Sequence, residues 1–220
     1  MPSTDQPDLL GLRRTPTQRR SLERLHRALD AADRLVAAEG VDALTTTTVA
    51  READISVGSL YQYFPDREAI ITALASRYLA GFDELVEQVV EAASREIWPD
   101  PIGVVLDAFV ARWRSEPGYR ALWLGSQLPP QLVEADRDNN RLIADAARRI
   151  LVGQGHLPDT PELARRCWVA VLCCDALLRE AFRADPEGDP ELLAEAGVVL
   201  RGYLLDPADA SADPSPKDPR

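Results

Sequence analysis

The chain has 220 residues, 36 acidic against 25 basic side chains and a formal net charge of −11. That balance excludes a protein that coats nucleic acid by bulk charge, so any such contact must be local. Hydrophobic residues make up 45%, enough for a real core, and aromatics only 6%. Cys167, Cys173 and Cys174 are an odd, clustered set. They exclude a disulfide framework and fit a cytoplasmic protein in a reducing interior. No run approaches the ~18 apolar residues of a membrane span; the apolar segment Cys167–Leu178 is short and is interrupted by Asp175.

Taken in order, residues 1–16 hold Pro2, Pro7 and Pro16 and read as a flexible basic arm with Arg13 and Arg14. Residues 17–65 read as a helix-turn-helix domain. Its first helix spans about Thr17–Glu39, lined by Leu22, Leu25, Leu29, Ala32, Leu35 and Val36 and stopped by Gly40. Arg19, Arg20, Arg24 and Arg27 crowd its start against only Glu23 and Asp30. Thr45 or Thr46 can cap a second short helix, with Val49, Ala50 and Ala53 as its apolar face. Asp54 tolerates the left-handed backbone of a turn, and Ile55 plugs the corner. Ser56 caps a third helix that carries Leu60 and Phe64 inward and ends at Pro65. Asp66 caps the next. Small side chains at Val57, Gly58 and Ser59 let that third helix approach base edges in a major groove.

This segment resembles the DNA-binding domain of the TetR family of transcriptional regulators. The resemblance rests on Thr45, Val49-Ala50, Ala53-Asp54-Ile55-Ser56, Gly58, Tyr61-Gln62-Tyr63-Phe64, Arg67 and Ile70, with Ala38-Glu39-Gly40 and Ala43 upstream. Asp54 stands where the family pattern has glycine, and Arg67 where it has lysine. Thr46, Thr47, Ser56, Val57, Gly58, Ser59, Tyr61, Gln62, Tyr63 and Arg67 are the expected DNA-binding residues. Thr46, Thr47, Tyr61, Tyr63 and Arg67 are expected on or near phosphates. Ser59 and Gln62 are expected to read bases, Gln62 through an amide that suits adenine. The arm would lie on the duplex or enter its minor groove.

Residues 66–205 read as a helical ligand-binding and dimerisation domain. A long helix runs from Asp66 towards Ile97 and ends at Trp98-Pro99-Asp100-Pro101. Helices are predicted over Ile102–Ser115, Gly118–Ser126, Gln131–Gly153, Pro161–Ala184 and Pro190–Leu205. No strand-like alternation appears, so the fold class is all-α with about nine helices. Residues 206–220, rich in aspartate and proline, read as a disordered acidic tail.

The resemblance implies a homodimer paired through the last two helices and a cavity for a small effector. Both of those helices carry apolar faces broader than one partner helix requires. Trp98, Phe109, Arg112, Trp113, Trp123, Gln127, Trp168 and Asp175 are the candidate ligand-binding residues, around an apolar hole of roughly 300–1,000 Å³. The cysteines read as small hydrophobes, since no chelating spacing surrounds them. His26 and His156 have no nucleophile or acid partner in sequence. No cofactor, metal, membrane contact or catalytic activity is expected. The function implied is a ligand-responsive repressor of a palindromic double-stranded DNA operator, released by a small hydrophobic effector; activation and co-repression stay open. A helical binding or scaffold protein that has lost DNA recognition is the alternative that Asp54 and the acidic charge keep in view, and an enzyme on the helical body is a third.

Overall fold

Apolar residues three and four apart decide where this chain is helical. The computed structural model describes residues 19–125 and 129–205, and among these it contains nine α-helices, one 3-10 turn and no strand. The expectations for the arm at 1–16, for the tail at 206–220 and for Gln127 lie outside the described residues. Helix α1 (Arg19–Glu39) buries Leu25, Leu29, Ala32, Leu35 and Val36. It breaks at Gly40, whose φ of 81° suits a residue without a Cβ. The 3-10 turn (Val41–Ala43), α2 (Thr46–Glu52) and α3 (Val57–Leu60) follow.

Helix α4 (Arg67–Arg95) has 29 residues and so extends about 43 Å. Its first turns lie inside the core formed with α1–α3, because all of residues 69–76 are buried. The N-terminal core thus extends into α4. Beyond Tyr78 only a stripe of α4 stays buried, including Phe82 and Val86.

The remaining helices are α5 (Pro101–Ser115), α6 (Pro117–Trp123), α7 (Pro130–Gly153), α8 (Pro161–Ala184) and α9 (Pro190–Leu205). Pro101, Pro117 and Pro130, expected just outside their helices, are instead each a first helical residue. An amide is not needed at that position and proline's fixed φ is already helical. Asp100 caps α5 through Gly103 N at 3.0 Å and also pairs with Arg201 of α9 at 2.7 Å. Those Arg201 hydrogen bonds, more than any other influence, hold the Asp100 carboxyl below its ordinary range. Helix α7 packs on α4 and α8, α8 on α9, and α1 on α6. One continuous core results.

The turn between α2 and α3 contains the only described non-glycine residue with positive φ, Asp54 at 52°. The peptide folds over Asp54, with Ile55 N donating to Ala50 O at 3.0 Å. Left-handed backbone costs an L-residue up to about 1–2 kcal/mol, less for aspartate than for most. Asp54→Gly is therefore expected to stabilise the protein by up to ~1 kcal/mol, a Tm rise of about 1–4 °C. Asp54→Val should lower Tm by at least as much, measured by thermal denaturation.

Candidate DNA-binding surface and ligand cavity

The helix-turn-helix is held by its caps. Thr45 accepts from Thr48 N at 3.0 Å, while Thr48 Oγ1 accepts from Thr45 N at 2.9 Å, a reciprocal box that starts α2. Ser56 Oγ accepts from Ser59 N at 3.1 Å and starts α3. Asp66 accepts from Ala69 N at 2.8 Å and starts α4. Leu60 and Phe64 are fully buried, as their spacing predicts. Helix α3 is shorter than expected. Its hydrogen bonds tighten to i+3 at Gln62 and Tyr63, so the α-helix closes at Leu60, ahead of Pro65.

The side chains left outward form one edge. Ser56, Val57, Gly58, Tyr61, Gln62 and Thr47 are exposed, with Val57 at 37% and Tyr61 at 44%. Thr46 Oγ1 lies 3.4 Å from the Tyr61 hydroxyl, which brings the start of α2 beside the end of α3. Three predicted contacts are placed differently. Tyr63 is buried at 3% exposure, and its hydroxyl meets Ser21 Oγ at 2.7 Å on α1, so its polar tip is used inside the protein. Arg67 donates through Nε to Leu44 O and through Nη2 to Val41 O, both at 2.8 Å. Its guanidinium ties the 3-10 turn to α4 instead of standing free for a phosphate. Ser59 is half-buried with its hydroxyl 2.8 Å from Ser56 Oγ, where it braces the cap.

A second feature lies among α4–α9. Phe82 of α4, Leu106 and Phe109 of α5, Ile143 of α7, and Cys167 and Ala170 of α8 enclose much of a cavity of about 100 Å³. It is smaller than expected because the nearby rings pack on one another: Phe82 stacks on Phe109 with centroids 5.8 Å apart, and Trp113 on Phe182 at 5.3 Å. Of the predicted lining residues, Phe109, Trp113 and Asp175 reach it. The others go elsewhere. Trp98 is buried at the α4–α5 break, where its backbone N–H donates to Gln154 Oε1 at 3.2 Å and its carbonyl lies 3.1 Å from His156 Nε2. Arg112 pairs with Glu116 at 2.9 Å and lies over the Phe82 ring, behind the wall. Trp123 is buried and donates through Nε1 to Asp136 Oδ1 at 2.7 Å. Trp168 faces Arg141 on the outer side of α7 and α8.

Sequence reasoning missed the polar wall. Tyr119, Asp136, Asn139 and Asn140 line the cavity with Asp175. The signal was present in α7: residues 136, 139, 140, 143 and 147 share one inward stripe, so its polar members point where its apolar members do. Asp136 and Asp175 both bind Arg179, at 3.0 and 2.9 Å. Burial raises the Asp136 carboxyl against the opposing Trp123 and Arg179 contacts, and burial raises the Tyr119 phenol well above its ordinary range. Burial also pushes the Cys167 thiol up to about 11 and Cys174 up to about 12, so both stay neutral cavity walls. Among the described residues no helix is long and apolar enough to cross a membrane.

Comparison with known proteins agrees with this arrangement. Residues 28–74 match the profile of bacterial regulatory proteins of the tetR family, and residues 96–208 match the tetracyclin repressor-like C-terminal domain. A TetR-family transcriptional regulator of known structure from Streptomyces coelicolor is 32% identical, with 82% of this chain and 97% of that one superposed at a TM-score of 0.60. The HTH-type transcriptional regulator HbdR of Aromatoleum sp. (strain CIB) is 29% identical over 140 residues, which span 60% of this chain and 59% of HbdR. FadR from Bacillus subtilis, solved in complex with stearoyl-CoA, shares the fold at a TM-score of 0.63 and 15% identity, with 82% of this chain and 97% of that one covered. With a capped helix-turn-helix, an all-α body and profile matches to both, the chain belongs to the TetR family and is a DNA-binding transcriptional regulator, not an enzyme.

Proposed function

We propose that this regulator is a homodimeric repressor that holds a palindromic operator and releases it when a small, mainly apolar effector enters the cavity. The observation that carries the reading is the double role of α4. The helix supplies Ile70 and Leu74 to the core shared with α1–α3, and Phe82 to the cavity wall. Thr46, Thr47, Ser56, Val57, Gly58, Tyr61 and Gln62 form the face offered to the duplex, with Gln62 reading a base. Two such faces related by a two-fold axis would meet half-sites about 34–36 Å apart.

Pairing through α8 and α9 is supported by apolar side chains left outward on both: Leu172 at 43% exposure, Val198 at 60%, Val199 at 48% and Tyr203 at 40%. Such a face is expensive to leave in water and suits a second copy.

The route from cavity to DNA runs through Tyr78. Tyr119, on the cavity wall, meets the Tyr78 ring edge-on at 5.8 Å. The Tyr78 hydroxyl donates to Asp33 Oδ1 on α1, and Arg77 holds the same carboxylate at 3.1 Å and Asp30 at 2.7 Å. Gly118 of α6 sits against this group, and a methyl there would overlap Asp33 and Tyr78. An effector that displaces Tyr119 therefore acts on the joint between α1 and α4, and operator and effector oppose each other by linkage.

Four measurements test this. A footprint on DNA flanking the gene should show a symmetric protected site. Gln62→Ala should relax sequence preference there by about 1–3 kcal/mol without lowering Tm, whereas Arg67→Ala should lower stability by about 1.5–3 kcal/mol because two carbonyls lose a charged donor. Leu172→Arg with Val198→Arg should yield a folded monomer in sedimentation and weaken operator binding at least tenfold, by about the effect of losing an interface hot spot; a persistent dimer would place the pairing surface elsewhere. Tyr78→Phe should change operator affinity by roughly 3- to 10-fold although it lies away from α3. Unchanged affinity would remove it from the route.

A further inference from the structure

We infer that the effector carries a protonated nitrogen on a small apolar frame, received by Asp136, Asp175 and Asn139. This deepens the reading of the cavity as the effector site and rests on it. The cavity is apolar over most of its wall, and its acidic groups come from α7 and α8. There Asp136 and Asp175 share one arginine. Arg179 gives Nε to Asp175 Oδ2 at 2.9 Å, Nη2 to Asp136 Oδ2 at 3.0 Å and Nη1 to the Trp123 carbonyl at 3.1 Å. Its guanidinium is thus committed to protein acceptors on three nitrogens. Two carboxylates against one guanidinium leave this end of the cavity short of one positive charge when both are ionised.

Asn139 adds an independent observation. It lines the cavity, is 8% exposed, and its Oδ1 has no hydrogen-bond partner among the described residues. A buried carbonyl oxygen without a donor is penalised until one arrives. The wall therefore asks for a positive charge and for an N–H, and an ammonium provides both. A carboxylate or phosphate would instead meet two aspartates with the nearby arginine already engaged. Loss of water raises the Asp136 carboxyl, and a cation beside it would restore the ionised form. Tyr119, Trp113 and Phe109 also line the cavity, so an apolar frame meets aromatic rings there. The volume of about 100 Å³ sets the frame at a single ring, comparable to the ~150 Å³ cavity that accepts benzene.

The test is calorimetric titration of the full chain with three probes of similar shape: 2-phenylethylamine, 3-phenylpropionate and ethylbenzene. The amine is expected to bind at least about tenfold more tightly than either other probe. Asp175→Asn, which keeps the shape and removes the charge, should bring the amine down to the level of ethylbenzene and leave ethylbenzene unchanged. Ala147→Phe, which fills the cavity from α7, should abolish binding of all three. Equal or tighter binding of the carboxylate overturns the assignment, and so does amine binding that ignores Asp175→Asn; in both cases loss of binding in Ala147→Phe would still uphold the cavity as a ligand site. If Ala147→Phe leaves amine binding intact, or if no probe binds, the cavity reading falls with it. The probe series on the unmodified chain decides the charge question even if a variant fails to fold.

Discussion

Helix α4 is buried along its first turns and again around Phe82 and Val86 for different reasons, and the rest of the molecule is arranged around that constraint. Its first two turns are surrounded, with residues 69–76 all below the surface, so no rotation of these turns leaves the core of α1–α3 undisturbed. Arg67 fastens the helix start to the carbonyls of Val41 and Leu44. Further along, Phe82 and Val86 are buried in the other half of the molecule. Protein interiors are close-packed and pass on a displacement instead of absorbing it. A shift of α4 at Phe82 would therefore be felt at Ile70 and Leu74, in the core that α4 shares with α1–α3.

Much of the fold was legible because its causes are local. Thr45, Ser56 and Asp66 each cap a helix with an oxygen three residues from the amide it accepts, and a short stretch of sequence contains the whole interaction. The left-handed turn at Asp54 is local in the same sense. What was not legible is where a polar tip found a distant partner. Tyr63 bonds Ser21, 42 residues away, and Arg67 bonds carbonyls 23 and 26 residues away. Nothing near either residue announces those partners, so both read as free for a phosphate. The tryptophans repeat the lesson. Their burial follows from their type, but whether Trp98 closes a helix break and Trp113 walls a cavity depends on how α5, α7 and α8 come together. The proline positions were a narrower error, since a break and a helix start differ by one residue.

Two polar groups join neighbouring helices on either side of the packed aromatic rings. One joins Asp30, Asp33, Arg77 and Tyr78 between α1 and α4. The other joins Asp136, Asp175 and Arg179 between α7 and α8. Partly buried ion pairs add little net stability, since desolvation offsets much of their attraction. Their geometry is demanding, however, and that makes them sensitive to a new charge or a small displacement in a way that an apolar contact is not.

Aromatic residues pack between these groups. Trp123 donates to Asp136 and accepts from Arg179 through its carbonyl, so it belongs to the cavity's polar wall. Its ring stacks on Tyr119 at 4.6 Å and meets Tyr78 edge-on at 6.2 Å. Tyr78 in turn keeps its proton, because burial and then the Asp33 carboxylate raise its phenol, and it donates to α1. Rigid rings with centroids 4.6–6.2 Å apart leave little slack. A cavity occupant that draws Asp136 or Arg179 towards itself must move Trp123, and Trp123 cannot move without displacing the ring whose hydroxyl positions Asp33. Under the proposed function, charge recognition at the cavity would reach the joint between α1 and α4 through these packed rings and the hydrogen bonds at either end of them.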